Sequence, residues 1–228
     1  MQPSLSVGFL LYPNMTQLDL TGPYEVLARA PGATTHLIWK TLAPVVSDQG
    51  LAILPTTTFA DCPPLDMVCV PGGPGQIALM EDQETLAFLN SVAKNVKLIT
   101  SVCTGSLVLG AAGLLKGYRA TSHWSSIDQL AVLGAEPVEE RVVWDRNRVT
   151  GAGVTSGIDF ALAVVAEVYG RDIAENIQLQ IEYDPKPPFE TGSIRQVPSD
   201  FAEKARNSIA EFIEARRAVT RRVADQLR

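Results

Sequence analysis

The sequence predicts an α/β fold in which a doubly wound, mostly parallel sheet carries helices on both faces. Three short segments are rich in β-branched and apolar residues on both faces, as strands buried between two helix layers are. These segments are 7–12, 65–70 and 96–102. Segments with helical spacing follow them, at 20–30, 85–94 and 106–115. Strand and helix therefore alternate, and we expect residues 1–228 to form one domain.

Two further strands are predicted at 35–42 and 51–59. Segments 141–144 and 148–150 flank Asp145-Arg146-Asn147, which has the composition of a hairpin turn. We expect this hairpin to be a small antiparallel addition to the sheet.

The last third of the chain predicts helices. Segments 157–169 and 172–183 are separated by Gly170, and a proline-containing loop then extends to Pro198. Apolar residues recur at three- and four-residue steps over 199–228, which predicts one long amphipathic helix with Ser199 as its N-cap, packed on the domain.

Composition restricts the class of protein. Hydrophobic residues make up 46% and charged residues 19%, as in a globular chain, and the net charge of −6 argues against a nucleic-acid partner. No apolar stretch approaches a membrane span, and the N-terminus lacks the features of a signal peptide. We expect a soluble, cytoplasmic protein. Three cysteines and two histidines, without metal-ligand spacing, predict free thiols and no metal.

Cys103 is the main candidate for chemistry, because segment 97–109 runs from a buried strand directly into a helix with Cys103 at the corner. A helix N-terminus beside the sulfur favours thiolate over thiol, and Gly105 allows strand and helix to approach closely. The alternative is a buried structural cysteine at a strand end.

A glycine-rich loop, 71–75, follows another predicted central strand and lies at the same carboxyl edge of the sheet. Its glycines can expose backbone N–H groups, so Gly72 and Gly73, with the N–H of Thr104, are predicted to form donors that face the sulfur and bind substrate. The alternative is a tight turn without a binding role.

Asp19 follows the first strand between two leucines, at the third carboxyl edge. Such an acid is either a helix N-cap or a carboxyl group held in an apolar pocket as the acid/base partner of the thiol. His36 is interpreted as structural. His123 ends a predicted strand after the cysteine and is a weaker alternative proton carrier. Cys62 and Cys69 are interpreted as packing residues.

These motifs resemble the ThiJ/PfpI-type (class I glutamine amidotransferase-like) superfamily, whose sheet is flavodoxin-like and whose elbow cysteine faces an acid from the first loop. The resemblance is carried by Pro71-Gly72-Gly73 and by segments 101–105, 113–115 and 120–124. Segments 17–23, 103–115 and 157–160 are most similar to its isocyanide hydratase branch. The protease-like branch has His after the cysteine, whereas this chain has Thr104, which argues against peptidase activity.

The resemblance implies cofactor-independent hydration of isocyanides to N-substituted formamides. Cys103 would form a thioimidate, Asp19 would act as general acid/base, and Thr104 would help to position the intermediate. Two alternatives remain: a redox-sensing or regulatory protein that uses Cys103, and another thiol-dependent enzyme of the glyoxalase-like or amide hydrolase type. The expected partners are a small isocyanide and a second copy of the chain, because Phe189, Ile194 and the C-terminal apolar stripe need a cover.

Overall fold

The computed structural model describes residues 4–227. In this part of the chain the strands are β1 (Ser6–Leu10), β2 (Thr34–Trp39), β3 (Val45–Val46), β4 (Ala52–Ile53), β5 (Thr57–Thr58), β6 (Met67–Val70), β7 (Leu98–Val102), β8 (Arg119–Ala120), β9 (Glu136–Pro137), β10 (Val142–Asp145) and β11 (Arg148–Gly151). The helices are α1 (Gln17–Leu27), α2 (Gln76–Leu79), α3 (Gln83–Val92), α4 (Gly105–Ala111), α5 (Gln129–Val132), α6 (Ser156–Tyr169), α7 (Arg171–Gln180), α8 (Ser199–Ser208) and α9 (Ala210–Gln226).

The central sheet confirms the predicted doubly wound fold. Its order is β10-β11-β7-β6-β1-β2-β5, and every pairing is parallel except that of β10 with β11, the predicted hairpin. The connection from β1 leads to β2 on one side of the sheet. The later connection from β6 leads to β7 on the other side. Right-handed crossovers therefore place α1 and α3 on opposite faces, and the order reverses between β1 and β6.

The strands are buried because both faces of the sheet are covered. All residues of β6 and β7 are buried, as are Phe9 and Leu10 of β1. On one side α1 packs against α6 and α6 against α7, whereas α4 contacts α3, α5 and α9. The apolar strand residues therefore form the core between two helical layers.

Segment 51–59 was predicted as one strand, and this prediction is wrong. The segment contains β4, which pairs antiparallel with β3, and β5, which extends the edge of the central sheet beside β2. Pro55 lies between β4 and β5. Because proline has no backbone N–H, it cannot continue a ladder of hydrogen bonds, and the chain changes partner there.

The prediction of one continuous helix over 199–228 is also wrong. Ile209, with φ of −120°, separates α8 from α9, and Pro198 rather than Ser199 is the N-cap residue. Helix α8 buries only Ala202, whereas α9 buries six residues, among them Arg216 and Val223. Apolar spacing predicted the helical state but did not indicate the break at Ile209. Arg228 lies outside the described residues.

Candidate active site

Three loops meet at the carboxyl edge of the sheet, at the point where the strand order reverses. They follow β1, β6 and β7, three adjacent strands of the sheet. Ligands of doubly wound folds bind at this position because neighbouring loops diverge there and leave a crevice. The three sequence motifs selected for chemistry are therefore brought together.

Cys103 occupies the sharp turn between β7 and α4 in a strained conformation. Its φ is +57°, in the left-handed region that a residue other than glycine adopts only when its surroundings impose it. The Cys103 N–H donates to the carbonyl of Gly151 at 3.0 Å, and its own carbonyl accepts from the hydroxyls of Ser106 and Ser122, each at 3.1 Å. These three bonds hold the elbow, and Cys103 as a whole is 6% exposed.

Gly105 permits the close approach of strand and helix that the sequence predicted. A Cβ atom at this position would overlap the carbonyl oxygen of Val70 and lie 2.7 Å from that of Pro71. Only glycine therefore allows α4 to begin directly against the β6 loop.

The glycine loop after β6 binds its two neighbours in the site. The Gly72 N–H donates to Asp19 Oδ2 at 2.8 Å, and the Gly73 N–H donates to Thr104 Oγ1 at 3.1 Å. A Cβ atom on Gly72 would lie 2.5 Å from Thr104 N and 2.8 Å from Asp19 Oδ2. The expectation that both N–H groups face the sulfur is therefore corrected: they orient Asp19 and Thr104, and of the three predicted donors only the Thr104 N–H bonds to Cys103.

Asp19 is fully buried in the first turn of α1. The N-cap of this helix is Thr16, so the interpretation of Asp19 as an N-cap is wrong. Asp19 Oδ2 is held by Gly72, whereas Oδ1 has no hydrogen-bond partner among the described residues. Burial raises the pKa of Asp19 to about 7, with a smaller contribution from Asp48, while the Gly72 N–H and the Cys103 thiol oppose the rise.

The Cys103 thiol differs from the expectation of a stabilised thiolate. Burial, and next the negative charge of Asp19, raise its pKa well above the ordinary value, and the Thr104 N–H and the Arg216 charge offset this only in part. The loss of solvation on burial therefore raises the pKa of Cys103 more than the N-terminus of α4 lowers it. At neutral pH the pair holds at most one negative charge, on Asp19, and a proton can pass between the two groups.

His123 is neutral at neutral pH, because burial and then the charge of Arg216 lower its pKa to about 4. Its Nδ1 lies 2.8 Å from the hydroxyl of Ser125. His123 was predicted to end a strand, and it lies shortly after β8, a two-residue strand that pairs with β9 outside the central sheet. His36 lies within β2. An imidazole of such low pKa is a poor proton donor at pH 7.

The other two cysteines lie away from the elbow. Cys69 is inside β6 and fully buried, and burial raises its pKa to about 12. Cys62 is half-buried with its pKa also raised by burial. In the described part of the chain, neither thiol is hydrogen-bonded to a carboxyl group, as Cys103 is to Asp19.

Sequence analysis missed two buried polar residues near Cys103. The Tyr12 hydroxyl donates to the carbonyl of Pro71 at 2.7 Å, and Arg216 Nη1 donates to the hydroxyl of Ser126 at 2.6 Å. Arg216 lies three residues from both Ile213 and Val219 on the apolar stripe of α9. A charged residue at that spacing was the available signal for a buried cation.

Comparison with known proteins identifies the family. The model of the DJ-1/PfpI family matches residues 5–167. The chain belongs to the DJ-1/PfpI family. This confirms the resemblance stated from the motifs.

Similar proteins differ in the share of their own length that aligns with this chain. The chain is 54% identical over 224 residues to isonitrile hydratase of Pseudomonas putida, covering 98% of each chain. It is 31% identical to the HTH-type transcriptional regulator GbdR of Pseudomonas aeruginosa, covering 78% of this chain and 51% of the regulator. The crystal structure of a ThiJ/PfpI family protein from Pseudomonas syringae superposes with a TM-score of 0.93 at 49% identity, covering 96% of this chain and 91% of that one.

Among residues 4–227, no three His, Cys, Asp or Glu side chains are grouped as metal ligands would be. Within the same residues no helix has the length and apolar character needed to cross a membrane.

The raised pKa of Asp19 predicts that this residue destabilises the fold as pH rises. Its pKa is about 7 in the folded protein against 3.8 ordinarily, so the folded state binds the proton more tightly and stability is lost between these values. Asp19→Asn removes the loss of stability that accompanies ionisation of this buried carboxyl group. Its unfolding free energy relative to wild type should increase by about 2 to 3 kcal/mol from pH 5 to pH 8, as measured by urea denaturation.

Asp145→Asn is the matched control. Asp145 bonds to Arg146, which lowers its pKa, so its titration is complete below pH 5 and its effect should be constant across the same window. A pH-independent difference for Asp19→Asn would contradict the assignment of a raised pKa to Asp19.

Proposed function

We propose that this chain catalyses the hydration of isocyanides, R–N≡C, to N-substituted formamides, with Cys103 as nucleophile and Asp19 as proton carrier. The observation that carries the proposal is the buried pair of Asp19 carboxyl and Cys103 thiol, which can pass one proton between them. The nearly full-length similarity to isonitrile hydratase supports the substrate class. The shorter match to a transcriptional regulator gives the regulatory alternative less support.

In the first step the thiol adds to the isocyanide, and both its sulfur and its hydrogen become bonded to the terminal carbon. Asp19 takes the proton from Cys103 as the sulfur attacks the terminal carbon of the isocyanide, and the proton is then delivered to that same carbon. The product is a thioimidate, R–N=CH–S, in which the S–C and C–H bonds are new. Asp19 is again a carboxylate at the end of this step.

The second step adds water to the thioimidate. Asp19 accepts a proton from the attacking water and delivers it to nitrogen, which gives R–NH–CH(OH)–S. Collapse of this intermediate breaks the C–S bond and releases R–NH–CHO, and the hydroxyl proton returns through Asp19 to the sulfur. The sum is one isocyanide plus one water to one formamide, without oxidation or a cofactor.

Thr104, Gly72 and Gly73 have supporting roles in this proposal. The Thr104 N–H bonds to the Cys103 sulfur and lowers its pKa, so it stabilises the sulfur when it becomes negative. The two glycine N–H groups orient Asp19 and the Thr104 hydroxyl, and the absence of a side chain at Gly72 lets Asp19 and Thr104 approach the loop closely.

The experiment that tests the function is incubation with a simple aryl isocyanide and detection of the formamide. Cys103→Ser should lose more than nine-tenths of the turnover, because a serine hydroxyl ionises too poorly to replace the thiol. Cys62→Ala is the control and should retain turnover. Residual turnover above a tenth in Cys103→Ser would refute the role of Cys103, and reversible peroxide oxidation of a protein without turnover would favour the sensor alternative.

Asp19→Asn separates proton transfer from packing. Asparagine can still accept the Gly72 N–H bond but cannot carry a proton, so hydration should fall by ~10² or more. Rapid quench and mass spectrometry would identify the affected step. Thioimidate accumulates on Cys103 only if the addition of water depends on Asp19 more than the addition of the thiol does. Unchanged turnover in Asp19→Asn would eliminate the residue as proton carrier.

We also propose that residues 1–228 form one domain, that the protein is cytoplasmic and that it forms a homodimer.

Support for a second copy comes from large apolar side chains at the surface: Leu179 is 79% exposed and Phe189 is 74% exposed. Light scattering at micromolar concentrations should give about twice the chain mass of 24.6 kDa. A mass near that of one chain throughout would contradict the dimer.

A further inference from the structure

Arg216 is a buried cation with incomplete hydrogen bonding. It is 4% exposed, donates from Nη1 to the hydroxyl of Ser126 at 2.6 Å, and has no partner at Nε and no ion pair among residues 4–227. The next residue, Arg217, is half-exposed and pairs with Asp128 and Glu214. Because a buried charge without a counterion costs free energy, Arg216 calls for an explanation that Arg217 does not.

The surroundings of Arg216 connect it to the elbow. The Ser126 hydroxyl accepts from Arg216, and the Ser126 N–H donates to the carbonyl of His123 at 2.9 Å. In the same segment the Ser122 hydroxyl donates to the Cys103 carbonyl at 3.1 Å. The ring of Phe212, one turn earlier on α9, lies 4.6 Å from the guanidinium. Segment 122–126 therefore extends from Cys103 to Arg216, and the guanidinium is held on two sides.

Among the described residues, the ionisable groups around the Cys103 sulfur include one cation, and the others are acidic or neutral. The ionisable groups that interact with Cys103 lie on α1, in the loop after β1 and on α9, and a second set of residues interacts with those groups in turn. The first set comprises Asp19, Tyr12 and Arg216; the second comprises Asp48, Cys69 and His123. Arg216 is the positive group among them, since burial raises the pKa of Tyr12 and Cys69 and lowers that of His123.

We propose that Arg216 is a positioning residue for the hydration proposed above, and that its charge stabilises the negative sulfur of Cys103 during attack and release. In the resting pair the negative charge lies on Asp19. When the proton moves from sulfur to carboxyl, the negative charge moves to Cys103, and the fixed guanidinium attracts it through an interior of low dielectric constant. This role explains why a cation is retained without a carboxylate partner.

Peptide-resolved alkylation of Cys103 with iodoacetamide tests this role independently of hydration, because only the thiolate reacts. Arg216→Met keeps a long apolar side chain and removes the charge. It should move the pH midpoint of alkylation upward by about one unit and lower kcat/KM about tenfold, the usual effect of a nearby opposite charge. Arg216→Lys keeps the charge and should retain most of both.

Arg217→Met is the matched control and should leave the alkylation profile unchanged. A folded Arg216→Met variant with a wild-type profile would overturn the proposal, because a purely structural residue changes the melting temperature alone. If this variant does not fold, Ser126→Ala, which removes the bond that orients Arg216, must shift the profile in the same direction, and no shift would overturn the proposal. A wild-type protein that shows the profile but does not hydrate isocyanides would refute the proposed function and not the effect of Arg216.

Discussion

The structure depends on one electrostatic constraint: Asp19 and Cys103 are neighbours in a buried site. In such a site two adjacent anions repel strongly and neither is stabilised by solvent. Burial raises the pKa of each group, that of Asp19 to about 7, and the charge of Asp19 raises the pKa of Cys103 further, so the pair carries at most one negative charge at neutral pH. Movement of a single proton then transfers the charge between oxygen and sulfur.

The fold achieves this proximity through its reversal of strand order and its glycines. Asp19 and Cys103 follow strands β1 and β7, which are separated in the sheet by β6 alone. The loop after β6 therefore begins between their two loops, and only glycine fits at position 72, because a Cβ atom on Gly72 would lie 2.5 Å from Thr104 N and 2.8 Å from Asp19 Oδ2. The same loop donates to Asp19 and Thr104, so it also orients the carboxyl group and the residue that follows Cys103.

The sequence predicts those features that depend on local pattern and on the geometry of parallel sheets. The carboxyl-edge positions of Asp19, Gly72 and Cys103 were predictable because each follows a buried strand, and adjacent parallel strands end at the same edge. The raised pKa of Cys103 was not, because it results from burial by the whole fold and outweighs the local effect of α4. Arg216 was missed for a related reason: helical spacing places it on a buried stripe but does not indicate what that stripe covers.

The state of the thiol also distinguishes an enzyme from a redox sensor on physical grounds. Sensor cysteines are accessible and of low pKa, because oxidation proceeds through the thiolate. Cys103 is 6% exposed, and burial and Asp19 raise its pKa well above the ordinary value. A neutral thiol beside a carboxylate instead suits a substrate whose carbon must receive both a sulfur atom and a proton. In the proposed mechanism Asp19 accepts the proton of Cys103, so the sulfur becomes negative as it attacks the substrate, whereas the resting protein holds a neutral, buried thiol.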